Sequence, residues 1–144
     1  NNTFVLNIAY KKDLKVNIYY FAYGTNLNKK IFLKKFRNAK LVKKHTLNNF
    51  KVVFRTKYII PDLQRKINSK VKGLIYRIDK NIEKRLDVYE DYPKLYIKKY
   101  FKYKNKKIMF YYMKKKTLPR KPKGYYFKIM KNGYRQNNFK FINT

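Results

Sequence analysis

A chain of 144 residues is long enough for one domain with its own core and too short for two. Hydrophobic residues make up 44%, which sets it apart from disordered chains, and cysteine is absent, which excludes disulfides, thiol catalysis and thiolate metal sites. Lys and Arg number 39 against 7 Asp and Glu, a net charge of +32, and His45 is the single histidine, which argues against a His-based metal centre.

In chain order, residues 4–10 and 14–23 read as strands joined by a turn at Lys11-Lys12-Asp13. The run from Ile18 to Tyr23 is apolar throughout, as in a central strand covered on both faces, and Gly24 breaks it. Asn28 is placed to cap a short helix over residues 29–36. Residues 41–42 and 50–54 read as strands, 60–70 as a polar loop, and 71–78 as a further strand. Asp79 then caps a helix over 80–90, with Ile82, Leu86 and Tyr89 on its core face. Glu83, Asp87 and Glu90 fall on the adjacent stripe, and Pro93 ends the segment. Strands at 96–103 and 107–113 form a hairpin about Lys104-Asn105-Lys106. A basic connector over 114–123 leads to a helix over 126–133 with Ile129 and Met130 inward.

This pattern predicts an α+β single domain: a mixed sheet, curved or closed into a small barrel, with two to three helices. Residues 1–17 read as an N-terminal extension, an added strand, ahead of a domain over 18–144. No apolar run approaches the roughly 20 residues of a membrane span, and residues 1–10 lack the pattern of a signal peptide. The expectation is a cytoplasmic protein with no membrane partner.

The charge has two readings. Lys outnumbers Arg 32 to 7, which favours a composition written onto a tolerant surface over a built phosphate site. The rival reading is a functional surface, the fold serving as a basic nucleic-acid-binding or inhibitory module without turnover. Non-specific nucleic-acid binding would then run through residues 94–116, where basic and aromatic residues interleave.

Most catalytic constellations are missing. The four glycines, at 24, 73, 124 and 133, stand singly, so no phosphate-cradling loop is present. Ser69 is the only serine and lies in the predicted polar loop, and His45 reads as a surface residue. What remains is the loop Tyr23-Gly24-Thr25-Asn26 and one scarce acid, Glu90, set among aromatics and followed by Pro93.

These two segments resemble a known family. Phe21-Ala22-Tyr23-Gly24-Thr25-Asn26-Leu27 is similar to the Tyr-Gly-Ser-Asn loop of the gamma-glutamylcyclotransferase-like proteins. The run from Leu86 to Tyr96 resembles their Leu-Asp-x-x-Glu-Gly-x-Pro-x-x-Tyr segment. Val71 to Tyr76 matches the strand before it, and Pro122 to Tyr126, with Ile129 and Gly133, is similar to the late Pro-Ser-x-x-Tyr and its helix. The likeness runs from about residue 18 to 135. It departs at Thr25 for Ser, Asp91 for Gly and Lys123 for Ser.

The resemblance implies an enzyme that releases 5-oxoproline and a free amine from a small gamma-glutamyl compound. It implies Glu90 as the catalytic acid/base and Tyr23, Gly24, Thr25, Asn26, Leu27 and Tyr126 as substrate-binding residues. It implies no metal and no cofactor, because the substrate carries its own nucleophile.

Overall fold

The computed structural model describes residues 16–140. Five strands, β1 (Ile18–Ala22), β2 (Lys40–Arg55), β3 (Ile60–Ile78), β4 (Tyr96–Tyr103) and β5 (Lys106–Met113), form one mixed sheet ordered β2-β3-β1-β5-β4. The apolar strand β1 sits at its centre, antiparallel to β3 and parallel to β5, with Tyr20, Phe21 and Ala22 all buried. That placement is why β1 has no polar alternation.

Three helices pack on the sheet: α1 (Lys29–Lys35), α2 (Lys80–Tyr89) and α3 (Tyr125–Gln136). The caps are those expected: the Asn28 side chain accepts from the Ile31 N–H at 3.2 Å and Asp79 from the Ile82 N–H at 2.8 Å. Phe32 of α1 packs on Tyr76 with ring centroids 4.1 Å apart. Ile82 and Leu86 of α2 and Met130 and Tyr134 of α3 complete the buried faces.

The hydrogen-bonded ladder is open, so the sheet is not a closed barrel. It curves nonetheless, and side chains of its two edge strands meet. His45 of β2 stacks on Phe101 of β4 at 5.1 Å, and the Lys43 ammonium donates to the Tyr103 hydroxyl at 2.5 Å. Phe21 of β1 lies edge-on to both His45 and Phe101. His45 is therefore half-buried in an aromatic cluster and not the surface residue expected. Burial, and then Lys43, lower its pKa.

Two further expectations change. Residues 60–70 are no loop: β2 and β3 form one long hairpin in which Phe50 pairs with Arg65 and Arg55 with Ile60. Its residues 65–68 are exposed, so no alternation marks them as strand. The ladder shifts register between Asn48 and Phe50, where Asn49 and Asn68 take positive φ. The basic connector is also not simply solvated, since Lys116 reaches the fully buried Asp62 at 2.8 Å. The extension expected over residues 1–17 lies almost entirely outside the described residues.

Candidate functional site

The loop after β1 is held from three sides. Gly24 lies on the start of β3 so closely that a Cβ there would sit 2.8 Å from the Pro61 side chain. Residues Thr25–Leu27 make one 3-10 turn, in which the Leu27 N–H donates to the Gly24 carbonyl at 3.1 Å. Asn26 donates its amide to the Tyr20 hydroxyl, and its carbonyl accepts from the Tyr76 hydroxyl, both at 2.9 Å. α3 closes the third side at Gly133, where a Cβ would lie 2.7 Å from the Leu27 and Asn28 backbone. Any larger residue at 133 would lift the helix off the loop.

Glu90 arrives from the opposite direction. α2 stops at Tyr89, and Glu90 is its C-cap, with its N–H bonded to the Leu86 carbonyl at 2.8 Å. The next residue, Asp91, has φ 50, the left-handed turn that ends many helices. Glycine suits that turn best, and Asp tolerates it better than most residues. This turn splits the acidic stripe. Glu83 and Asp87 both bind Lys98, at 3.0 and 2.9 Å, while Glu90 swings into a cavity beside the loop.

The cavity has a volume of about 190 Å³, below the ~300–1,000 Å³ of sites for drug-sized ligands, and suits a small molecule. Tyr23, Gly24, Thr25, Asn26, Glu90 and Tyr126 all line it. Leu27 does not; it is fully buried against Gly133. Sequence reasoning missed the rest of the wall. Tyr20 and Tyr111 flank it, Ile60 and Pro61 come from β3, and Tyr96 opens β4 with Leu95 just before it. Tyr58 and Tyr89 are half-exposed or more and stand at its rim. Tyr96 was within reach, as it closes the motif that contains Glu90. Tyr89 and Leu95 lie in that same segment and Tyr58 in the turn between β2 and β3. Tyr20, Ile60, Pro61 and Tyr111 come from three separate strands, and no local pattern brings them together.

The electrostatics of the cavity oppose those of the chain. No Lys or Arg lines it, although the sequence holds 39, and Glu90 is its one charged residue. Burial raises the Glu90 pKa to about 8. The negative pole of α2, at whose end it sits, acts in the same direction. Among the described residues Glu90 forms no ion pair, whereas Asp62, Glu83 and Asp87 all do. A carboxyl that titrates near neutrality inside a small cavity is suited to take and return a proton.

The opposite wall rests on a buried knot. Asp62 is 0% exposed and accepts from Arg55 at 2.7 Å, Lys116 at 2.8 Å and the Met113 N–H at 2.9 Å. Arg55 also donates to Gln64 and to the Thr117 carbonyl. The neighbouring Pro61 carbonyl accepts from the Tyr96 hydroxyl at 2.5 Å. The knot thus fixes Pro61 and Tyr96, two parts of the cavity wall.

Among the described residues no group of three or more His, Cys, Asp or Glu assembles, and no helix is long and apolar enough to cross a membrane. The model of the family "Gamma-glutamyl cyclotransferase, AIG2-like" matches residues 20–135. A solved structure described as a gamma-glutamyl cyclotransferase superposes with a TM-score of 0.70 at 20% identity, over 85% of this chain and 80% of that one. An uncharacterized protein from Homo sapiens gives 0.71 at 21% identity, over 84% and 80%. YkqA from Bacillus subtilis gives 0.70 at 18% identity, covering 85% of this chain and 49% of that one. At these identities the likeness is one of fold. No curated protein matches the chain by sequence.

Proposed function

The chain belongs to the gamma-glutamyl cyclotransferase, AIG2-like family, and from that premise we propose that its cavity cyclises a gamma-glutamyl amino acid, amine or peptide, releasing 5-oxoproline and a free amine. The observation that carries this reading is Glu90, a lone carboxyl with a pKa near 8 in a small cavity free of cations.

The chemistry asks little more of the protein. The substrate's α-amine is the nucleophile and its γ-carbonyl the target, so the cavity must hold the folded conformer in which they meet. Positioning of that kind supplies ~7–11 kcal/mol in favourable cases. The α-ammonium has two protons more than the ring nitrogen of 5-oxoproline keeps. The leaving amine needs those same two to depart as an ammonium. Glu90, starting ionised, takes each from the nucleophile and delivers it to the leaving nitrogen, and ends as it began. Tyr23 and Tyr126 wall the substrate, and the Thr25 and Asn26 N–H groups, first in their 3-10 turn and left unbonded by it, face an anionic end of the substrate.

The test is 5-oxoproline release by the purified protein across gamma-glutamyl amino acids, amines and peptides. At least one class should be turned over. Release from none by a folded sample would remove the reading.

A further inference from the structure

Four buried phenols line the cavity, Tyr20, Tyr23, Tyr96 and Tyr111, and their hydrogen bonds have assignable directions. Tyr23 donates to the Tyr111 carbonyl at 2.7 Å and Tyr96 to the Pro61 carbonyl at 2.5 Å. Tyr111 donates at 2.6 Å to Asp87, whose carboxylate is salt-bridged to Lys98 at 2.9 Å. Carbonyls and carboxylates only accept, so each of these three phenols has already committed its single proton. Their oxygens can still accept, but they have no proton left to donate.

Tyr20 is wired the other way round. Its oxygen accepts the Asn26 amide at 2.9 Å, and among the described residues no acceptor takes its own proton. The ring is fixed by Phe32, Tyr76 and Tyr111, with centroids 6.1, 6.4 and 5.9 Å away. A donor with no acceptor in the protein is satisfied when an occupant of the cavity supplies one. Tyr20 and Glu90 line the same cavity, and Glu90 is the charge that acts most strongly on this hydroxyl.

We propose that Tyr20 is a second catalytic residue, whose hydroxyl donates to the γ-carbonyl oxygen of the substrate and holds the oxyanion formed there. This rests on the cyclisation reading above. As the amine attacks, the new C–N bond forms and the carbonyl π pair moves onto oxygen. The Tyr20 hydrogen bond stabilises that charge. When the pair returns to re-form the carbonyl, the bond to the leaving nitrogen breaks and takes its electrons to the amine. Glu90 moves the protons, and Tyr20 keeps its own throughout. A donor fixed in place before the reaction works best where a bound substrate displaces water from it.

Tyr20→Phe keeps the ring and removes only the hydroxyl. On a gamma-glutamyl compound that the wild type turns over, kcat should fall ~100–1,000-fold, the loss seen when one oxyanion donor is removed. KM and melting temperature should stay near wild type. Tyr19→Phe, which removes the neighbouring exposed hydroxyl bonded to Lys106, should leave the rate unchanged. Wild-type kcat in Tyr20→Phe overturns the assignment while leaving cyclisation intact. Calorimetric titration with 5-oxoproline, whose carbonyl is the ring form of the γ-carbonyl, separates the two claims. If the wild type releases no 5-oxoproline from any compound yet binds it, a tenfold weaker affinity in Tyr20→Phe sustains the donor without the reaction. Equal affinity, or no binding by the wild type, overturns the donor as well.

Discussion

Glu90 and Asp91 are neighbours with opposite problems. Glu90 is enclosed and held neutral up to a pKa of about 8. Because the ionised form starts the proposed reaction, kcat/KM should rise about tenfold per pH unit up to ~8 and then level off. An inflection between pH 4 and 5 would mean that another, solvated acid is in charge. The same pKa fixes the direction of a stability effect. Between about 4.5, the ordinary value for a glutamate, and about 8, folded Glu90 holds a proton that the unfolded chain releases. Stability linked to this group is therefore full at low pH and is lost as pH rises through 8. Glu90→Gln, neutral at every pH, should match wild-type stability near pH 5 and exceed it near pH 9. Asp91 is exposed and left-handed, with φ 50, at the negative end of α2. Asp91→Gly relieves both the turn and the charge and should raise unfolding free energy by ~0.5–1 kcal/mol in urea melts. A loss of stability instead would show that the Asp side chain holds the turn.

The elements differ in how plainly the sequence announces them. α1 and α2 were legible because Asn28 and Asp79 are caps followed by apolar residues at helical spacing. β1 was legible because a strand covered on both faces is apolar throughout. The far part of the β2–β3 hairpin was not, because solvent around residues 65–68 removes the alternation by which strands are recognised. Asp62 was hidden in the same stretch. Its neighbours look like a polar loop, yet it is the acceptor at the centre of a knot of Arg55, Lys116 and the Met113 N–H. Asp62→Ala leaves the Arg55 guanidinium, 2% exposed, without its counter-charge. Removing one partner of a buried pair costs ~3–5 kcal/mol, so the variant should unfold at clearly lower denaturant. A change under ~1 kcal/mol would show that Gln64 and the Thr117 carbonyl satisfy Arg55 by themselves. The site divides along the same line. Its loop, its glutamate and Tyr96 lie in short motifs, whereas Pro61 and Tyr111 join them only through the β3-β1-β5 strand order.

At the scale of the whole molecule, a net charge of +32 surrounds a cavity that contains no cation. Such an exterior attracts polyanions whatever their sequence, and non-specific nucleic-acid binding remains a proposal about that exterior. The ring faces that a single strand would need are partly occupied: Lys107 lies over Tyr100 at 4.1 Å, Lys43 over Tyr103 at 4.3 Å and Lys116 over Tyr112 at 3.1 Å. The proposed chemistry is segregated from this surface, with one acid inside whose pKa is raised to about 8. That segregation is the central claim, and exchanging acids tests it most directly. Initial rates of 5-oxoproline release should be compared for wild type, Glu90→Gln and Glu83→Gln on a gamma-glutamyl compound that the wild type turns over. Glu83 lies on the same helix and only shares Lys98, so its variant should keep the wild-type rate within about threefold. Glu90→Gln should remain folded and lose turnover altogether, whereas a folded Glu90→Gln with the wild-type rate would contradict the account.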